Sequence, residues 1–160
     1  MTPPPAGGFA VDHADLNDPA LRAMAATHAR LALAQAPPGS CHAFDFERLV
    51  AGDVQLFWAK AGDALLGIGA LQTHAGPLGE LKAMYSAPEA RGRGVGGAIL
   101  ATVIDAARTA GLPRISLETG SQPYFAASRR LYARAGFVVC PPFGRYVDDP
   151  NSVYMTLSLG

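Results

Sequence analysis

A cluster of glycines between a strand-like run and a helix-like run constrains this chain most. Four glycines fall within the six positions from Gly92 to Gly97; Arg91 directly precedes them and Arg93 lies between the first two. An ordinary strand-to-helix turn needs about one or two glycines, so this density indicates that the backbone approaches another group closely. A helix start has unpaired N–H groups and a partial positive charge, and arginines add further donors. The segment is therefore suited to bind an anion such as a phosphate.

Hydrophobic periodicity predicts a strand before this segment and a helix after it. Apolar residues recur at helical spacing from Gly94 to Ala110, and Gly111 follows as a stop signal. Period-two runs at Glu80–Ser86 and Arg114–Glu118 flank that helix. A strand, a helix and a strand of this length form a right-handed crossover, so the two strands are expected to run parallel.

The rest of the chain adds short strands and helices around that crossover. The further predicted elements are a strand at Phe9–Asp12, an amphipathic helix from Pro19 to the Pro37-Pro38-Gly39 stop, a short helix at Asp45–Leu49, strands at Val54–Ala59 and Ala64–Gln72 joined by a Gly62-Asp63 turn, a helix at Tyr124–Ala135, and strands at Phe137–Cys140 and Val153–Leu159. Together they predict an α+β fold with a mixed, mostly antiparallel sheet of about seven strands, a central parallel βαβ crossover and helices on both faces. Residues 1–8 are rich in Pro and Gly and are expected to be disordered, which leaves residues 9–160 as a single domain.

Composition narrows the classes of function. Thirteen basic residues balance thirteen acidic ones, so no net field would hold nucleic acid or an anionic membrane. The N-terminus has no signal-peptide pattern and no run approaches the roughly 18 apolar residues of a membrane span, which predicts a cytoplasmic protein. Cys41 and Cys140 lack metal-ligand spacing, so no metal is expected.

Two known glycine-rich motifs are alternative explanations for the glycine cluster at Gly92–Gly97. A P-loop would need Lys and then Ser or Thr after Gly97, where alanine and isoleucine follow, so a P-loop is excluded. Gly92, Gly94 and Gly97 match the GxGxxG pattern of Rossmann nucleotide-binding folds, with Glu118 about 20 residues further on. That match is weak, because a Rossmann fold needs more strand–helix units than remain after Glu118.

A second motif lies downstream of the glycine turn. Arg91-x-x-Gly94-x-Gly96 opens one predicted helix, and Leu131-Tyr132-Ala133-Arg134-Ala135-Gly136-Phe137 closes the next. The first motif resembles the pyrophosphate-binding signature of the GNAT superfamily of acyl-CoA-dependent N-acetyltransferases, and the second is similar to the LYxxxGF stretch of that family. The motifs cover residues 79–140, and the order of elements covers nearly the whole chain. Residues 117–121 and 149–155 also resemble a subgroup of small bacterial single-domain members.

The resemblance implies acetyl-CoA as a cosubstrate. Backbone amides of the glycine turn, with Arg91, would hold the pyrophosphate, and the strand Glu80–Ser86 would pair with the pantetheine arm as if it were another strand. Family members often carry asparagine where this chain has Phe125, so that polar contact is not expected here. The residues expected to bind the cofactor are Met84, Tyr85, Ser86, Arg91, Gly92, Arg93, Gly94, Val95, Gly96, Gly97, Phe125 and Tyr132.

Acetyl transfer to an amine needs a proton acceptor and a group that stabilises the leaving thiolate. Tyr132 aligns with the tyrosine that usually serves the family as the acid. The base stays open among Glu80, Glu118 and His42, the last in the loop where the family forms the wall of the acceptor site. No motif decides between these three.

The alternation of side chains along a strand predicts where the carboxylates of Glu80 and Glu118 lie. Glu80 is predicted to share a strand face with Lys82, Met84 and Ser86, along the strand assigned to the cofactor. Glu118 ends the neighbouring strand, where the two strands are expected to splay apart.

The acceptor is expected to be a primary amine, either a small molecule or a peptide. The residues predicted to meet it are His42, Glu118, Arg145 and Tyr146, whereas His13, His28 and His74 are interpreted as incidental. Two alternatives remain beside the transferase: a non-catalytic acyl-CoA binding or sensing module, and the Rossmann-type nucleotide-binding protein. GNAT members often pair through their C-terminal strands, so a homodimer is a further expectation.

Overall fold

The computed structural model describes residues 8–37 and 46–160, and these residues form one sheet with helices on both faces. The strands are β1 (Ala10–His13), β2 (Val54–Ala61), β3 (Ala64–His74), β4 (Leu78–Ser86), β5 (Arg114–Gly120), β6 (Val138–Val139) and β7 (Ser152–Ser158). The helices are α1 (Pro19–Leu33), α2 (Phe46–Leu49), α3 (Val95–Thr109) and α4 (Ala126–Arg134), with 3-10 turns at Pro88–Ala90 and Pro123–Phe125. The seven strands lie in the order β1-β2-β3-β4-β5-β7-β6. The predicted mixed α+β fold is confirmed.

One parallel pair interrupts an otherwise antiparallel sheet. β4 and β5 run parallel and pair at Gly79 with Ile115 and at Glu80 with Ser116. Both strands continue past these residues, β4 paired with β3 and β5 paired with β7, so they separate beyond the second pair. The predicted crossover through α3 is confirmed, and the separation opens a cleft between β4 and β5.

A bulge in β4 changes the face on which its later side chains lie. Ala83 has a φ of 54°, and β4 gains one residue over β3 between Lys82 and Tyr85. An inserted residue reverses the alternation of faces. Met84 therefore packs into the core beneath α3, whereas Tyr85 packs on the face that bears α1. The prediction that Glu80 and Lys82 share a face with Met84 is wrong, because the bulge lies between them.

Buried side chains form a cluster on each face of the sheet. Along β2, Phe57 and Ala59 pack beneath α3, whereas Leu56 and Trp58 pack against α1 and α2. The apolar stripe of α3 comprises Val95, Ile99, Leu100, Val103, Ile104 and Ala107. Burial of each large aliphatic side chain stabilises the fold by about 1.5–3 kcal/mol, so the two clusters fix the sheet between its helices.

Local signals set the start of α1 as predicted. The Asp18 side chain accepts a hydrogen bond of 2.9 Å from the Ala20 amide, and Pro19 occupies the first helical position. Leu21 and Ala25 face the sheet. The helix ends at Leu33, ahead of the predicted stop at Pro37.

The second crossover helix begins later in the chain than predicted. Its predicted start at Tyr124 lies within the 3-10 turn Pro123–Phe125, and α4 itself begins at Ala126. The turn is closed by a 3.0 Å bond from the Phe125 amide to the Gln122 carbonyl. The Gly62-Asp63 turn between β2 and β3 is confirmed. The predictions for residues 1–7, Asp45 and the Pro38-Gly39 stop lie outside the described residues.

Candidate active site

The glycine turn has a backbone that glycine alone adopts readily. Gly92 and Gly94 have φ angles of 77° and 80°, and a Cβ atom built on either would meet no atom within 4 Å. Gly94 is the N-cap residue of α3 and offers no side chain to the first amides of the helix. The turn is therefore both left-handed and open to solvent, as close contact with a ligand would require.

The start of α3 presents a row of unpaired amides. The first hydrogen bond of α3 runs from the Ala98 amide to the carbonyl of the N-cap residue Gly94 and is 3.0 Å long. Among the described residues, the backbone amides of residues 92 and 94–97 donate to no backbone carbonyl. Val95 itself is buried in the core, so only its backbone faces outward. Arg91 and Arg93 are exposed beside this row. Amides, helix dipole and two guanidinium groups together fit a diphosphate.

The two sequence motifs meet at this helix start. A Cβ on Gly96 would lie 3.3 Å from Cδ2 of Leu131 and 3.6 Å from Oγ of Ser86. The glycine thus allows α4 and the end of β4 to approach α3 closely. The start of α3 therefore lies against the end of β4 and against α4.

A cleft lies between the separated strands β4 and β5, with α1 and α4 on its borders. Side chains of both predicted carboxylates and of the predicted acid line it. Its lining residues include Glu80, Lys82, Met84, Glu118, Phe125, Tyr132 and Tyr146. Because the strands separate here, polar side chains from both β4 and β5 line the same cleft.

Glu80 is the most enclosed charged group of the cleft. Its side chain is 3% exposed, and His74 Nε2 lies 2.8 Å from Oε1. The Tyr146 hydroxyl donates to Oε2 at 2.6 Å, and Lys82 Nζ lies 3.5 Å from the same oxygen. Both carboxylate oxygens are thus engaged, which offsets the cost of burying the charge.

Glu118 differs from Glu80 in its electrostatic environment. Burial raises the pKa of the Glu118 carboxyl to about 7, and the nearby charge of Glu80 acts in the same direction. Lys82 and the Ser152 hydroxyl act in the opposite direction. A carboxyl with a pKa near neutrality exchanges protons readily at physiological pH.

Tyr132 borders the cleft from α4. Its side chain is 5% exposed, and its ring lies 6.0 Å from that of Phe137. Burial, and secondly the charge of Glu118, raises the pKa of the Tyr132 hydroxyl well above its ordinary value. Tyr132 therefore keeps its proton at neutral pH and can act as a hydrogen-bond donor.

Comparison with known proteins identifies the family. The profile of the Acetyltransferase (GNAT) family matches residues 21–137, which is more than half of the chain. The chain belongs to this family. The match spans the glycine turn, both crossover helices and every lining residue of the cleft named above except Tyr146.

Relatives of this GNAT domain share most of its length. It is 40% identical over 151 residues to the uncharacterized N-acetyltransferase YedL of Escherichia coli (strain K12), covering 94% of this chain and 95% of the relative. It is 38% identical over 120 residues to the IAA acetyltransferase of Azospirillum brasilense, covering 74% and 77% of the two chains. The solved structure of yncA from Salmonella typhimurium, which contains acetyl-CoA, aligns with a TM-score of 0.71 at 22% identity and covers 96% and 95% of the two chains.

The GNAT domain is an acyltransferase with acetyl-CoA as its cosubstrate. Within the described residues no group of three or more His, Cys, Asp or Glu side chains is arranged to hold a metal ion. In the same part of the chain, each helix is too short or too polar to cross a bilayer.

The structure brings most of the predicted site residues of the GNAT domain together, but not all. Arg145 is exposed and lies outside the lining of the cleft, although its neighbour Tyr146 enters it. His42 lies outside the described residues. Phe125 lines the cleft, and its ring lies where a side chain on Gly120 would otherwise lie.

Two histidines interpreted as incidental lie at the site. His74 contacts Glu80 directly, and His28 lines the cleft with its ring 5.6 Å from that of Tyr85. Burial lowers the pKa of His28 to about 4, so this imidazole is neutral at physiological pH. His74 could have been found from the register of the β3–β4 hairpin, whereas nothing in the sequence pattern indicates His28.

Proposed function

We propose that this GNAT domain acetylates a primary amine, on a small molecule or a peptide, by direct attack of the amine within the cleft between β4 and β5. The observation that supports this most strongly is the position of Glu118, with its pKa near 7, in the same cleft as the proton-bearing Tyr132. One group can accept a proton and the other can donate a hydrogen bond. Amine acetylation needs both.

Glu118 is the proposed base. An alkylammonium with a pKa of about 10.4 is only about 0.04% neutral at pH 7, so the amine must lose a proton before it attacks. Glu118 meets this need better than Glu80, because both oxygens of Glu80 are occupied by His74 and Tyr146. Glu80 instead pairs with Lys82 and holds the Tyr146 side chain against the cleft.

Tyr132 is the proposed partner of the leaving sulfur. A thiol with a pKa of roughly 8.5 by analogy with cysteine is a stronger acid than the buried Tyr132 phenol, whose pKa is raised. Full proton transfer from Tyr132 to a thiolate is therefore uphill. Tyr132 stabilises the negative charge on sulfur chiefly by donating a hydrogen bond.

The glycine turn and the end of β4 are the proposed cofactor site. The unpaired amides of residues 92 and 94–97, with Arg91 and Arg93, suit the pyrophosphate. Backbone groups of Met84, Tyr85 and Ser86 lie beyond the point where β4 leaves β5, which supports strand-like pairing with an extended arm. Phe125 contributes an apolar contact in place of a polar one.

The proposal also includes the oligomeric state and the cellular location of the protein. The protein acts in the cytoplasm and needs neither nucleic acid nor a membrane. A homodimer through the C-terminal strands is supported by the edge position of β6, whose Val138 and Val139 side chains are 61% and 73% exposed. Size-exclusion chromatography with light scattering tests the dimer.

A panel assay tests the activity. Purified protein receives acetyl-CoA and single amines, together with IAA because one relative is named for it, and free thiol and the mass of the product are recorded. Release of thiol with stoichiometric N-acetylated product is the expected result. Binding of acetyl-CoA without release on any acceptor would instead support a non-catalytic acyl-CoA binding module, and affinity for NAD without affinity for CoA would support the nucleotide-binding alternative.

A further inference from the structure

Lys82 and Glu118 occupy equivalent positions on the two walls of the cleft. The last paired residues of β4 and β5 are Glu80 and Ser116, and Lys82 and Glu118 follow each of them by two positions. Residues two apart on a strand lie on the same face, and the bulge at Ala83 comes only after Lys82. Opposite charges therefore stand on the same face of two strands that have separated.

The strand separation places the cleft between these two charges. Both side chains line the cleft, and Lys82 Nζ lies 3.5 Å from Oε2 of Glu80 on its own strand. In a sheet without the separation, residues at the positions of Lys82 and Glu118 would be direct cross-strand neighbours. A ligand in the cleft therefore has a lysine on one side and a glutamate on the other.

Burial disfavours the charged forms of both Lys82 and Glu118. Around Lys82, which is 14% exposed, burial lowers the pKa of the ammonium; Glu80 and Glu118 oppose this change, and Arg48 acts with it. Around Glu118, burial raises the pKa and the charges of Glu80 and Asp149 act in the same direction. An anion near Lys82 and a cation near Glu118 would each stabilise the charged form of its neighbour.

The wall contributed by α1 carries no charge. It presents His28 and Ala32 to the cleft, and Ala36 lines the cleft just beyond the end of the helix. His28 is neutral at physiological pH because burial lowers its pKa to about 4. A ligand that extends towards α1 therefore meets a small, uncharged surface.

From this arrangement we infer that the acceptor is an α-amino acid with an uncharged side chain: its carboxylate binds Lys82, its amine faces Glu118, and its side chain lies towards α1. The inference rests on the proposed function and names the substrate class of the same site. The ammonium–carboxylate contact at Lys82 is charge-assisted. Its loss should reduce kcat/KM by about 10-fold or more.

Matched acceptors test the inference directly. Leucine, leucinamide and 3-methylbutylamine share one amine and one side chain, but leucine alone carries a carboxylate; phenylalanine, phenylalaninamide and phenethylamine form a second set. Thiol release and product mass give kcat/KM for each. We expect the acid to exceed its amide by at least 10-fold in one or both sets, and equal values in both sets would overturn the inference.

Lysine variants separate a specific contact from general damage. Lys82→Met should raise KM for the amino acid at least 10-fold and bring the ratio of acid to amide close to one, and Lys82→Arg should retain a preference for the acid. Lys60→Met is the matched control, because Lys60 is the other lysine of the chain and lies on β2 with Nζ 4.6 Å from the centre of the Trp58 ring. An acid preference that survives Lys82→Met would contradict the assignment.

A binding measurement distinguishes this inference from the proposed function. If no amine is acetylated, the proposed function fails, and calorimetry of the same acids and amides against the CoA-saturated protein still decides whether the carboxylate is recognised. Tighter binding of the acids that is lost in Lys82→Met supports carboxylate recognition. Equal binding of acids and amides overturns it.

Discussion

The Tyr146 hydroxyl donates a hydrogen bond of 2.6 Å to Oε2 of Glu80. Glu80 lies on β4, whereas Tyr146 belongs to the segment between β6 and β7, so this bond ties that segment to the wall of the cleft. The Tyr146 ring lies 5.1 Å from that of Phe143 and 5.6 Å from that of Tyr154, which braces it from the other side. Glu80 therefore anchors a loop as well as supplying charge.

Loss of this bond should weaken acceptor binding. In Tyr146→Phe the segment loses its attachment to β4, and a hydrogen bond to a charged group contributes about 1.5–3 kcal/mol. We expect KM for the acceptor to rise about 10-fold while the dissociation constant for CoA, measured by calorimetry, stays within twofold. Tyr124→Phe serves as the control, because Tyr124 is 41% exposed. An unchanged KM would show that the bond does not shape the acceptor site.

Loss of the Tyr132 hydroxyl should slow the chemical step and leave cofactor binding nearly unchanged. Tyr132→Phe removes the hydrogen-bond donor but keeps the ring that packs near Phe137. We expect kcat to fall more than 10-fold with little change in affinity for acetyl-CoA, because the hydroxyl acts on the charge that develops at sulfur. Steady-state kinetics and a binding titration measure the two effects, and Tyr124→Phe again provides the control. An unchanged kcat would defeat the assignment.

The parts of the site that the sequence predicts are those built from neighbouring residues. The glycine turn is local: Gly92 and Gly94 are needed because the backbone there is left-handed, and the helix start follows at once. Tyr132 could be placed because its motif and the preceding crossover fix the side of the sheet on which α4 lies. Both predictions depend on short stretches of chain.

The parts that the sequence does not predict depend on contacts between distant residues or on an unmarked irregularity. The bulge at Ala83 requires a left-handed alanine, and alanine has no preference for that conformation, so nothing in the pattern indicated the change of face. Tyr146 and Arg145 are neighbours in one loop, and only the packing of that loop decides which of them enters the cleft.

The anion site can be tested with two glycines of equal conformation. Gly94 and Gly76 have φ angles of 80° and 73°, and a Cβ on either would meet no atom within 4 Å. Gly94→Val and Gly76→Val should therefore cost similar stability, about 1–2 kcal/mol each. Only Gly94→Val should weaken CoA binding, by at least 10-fold in calorimetry, because Gly76 lies in the turn between β3 and β4. Equal CoA affinity in both variants would contradict the site.

The pKa of Glu118 predicts how activity depends on pH. A base with a pKa of about 7 is mostly protonated at pH 6 and mostly ionised at pH 8, so kcat/KM should rise through this range. Glu118→Gln should lower kcat/KM at pH 8 at least 10-fold and remove the inflection near pH 7. The exposed Glu89 lies near the glycine turn, and Glu89→Gln should leave the profile unchanged. A profile for Glu118→Gln that retains the inflection would assign it to another group.

The raised pKa of Glu118 also predicts that ionisation of this carboxyl destabilises the fold. Burial raises the pKa of Glu118 from an ordinary value of 4.5 to about 7 in the folded chain, so between these values the folded state binds more protons than the unfolded state. The contribution of Glu118 to stability is therefore lost as pH rises from about 4.5 to 7. Glu118→Gln cannot ionise, so its melting temperature should exceed that of the wild type at pH 8, and the difference should shrink at pH 5. Thermal unfolding at both values checks this, and a variant that is less stable at pH 8 would show that the ionised carboxylate is held by favourable contacts.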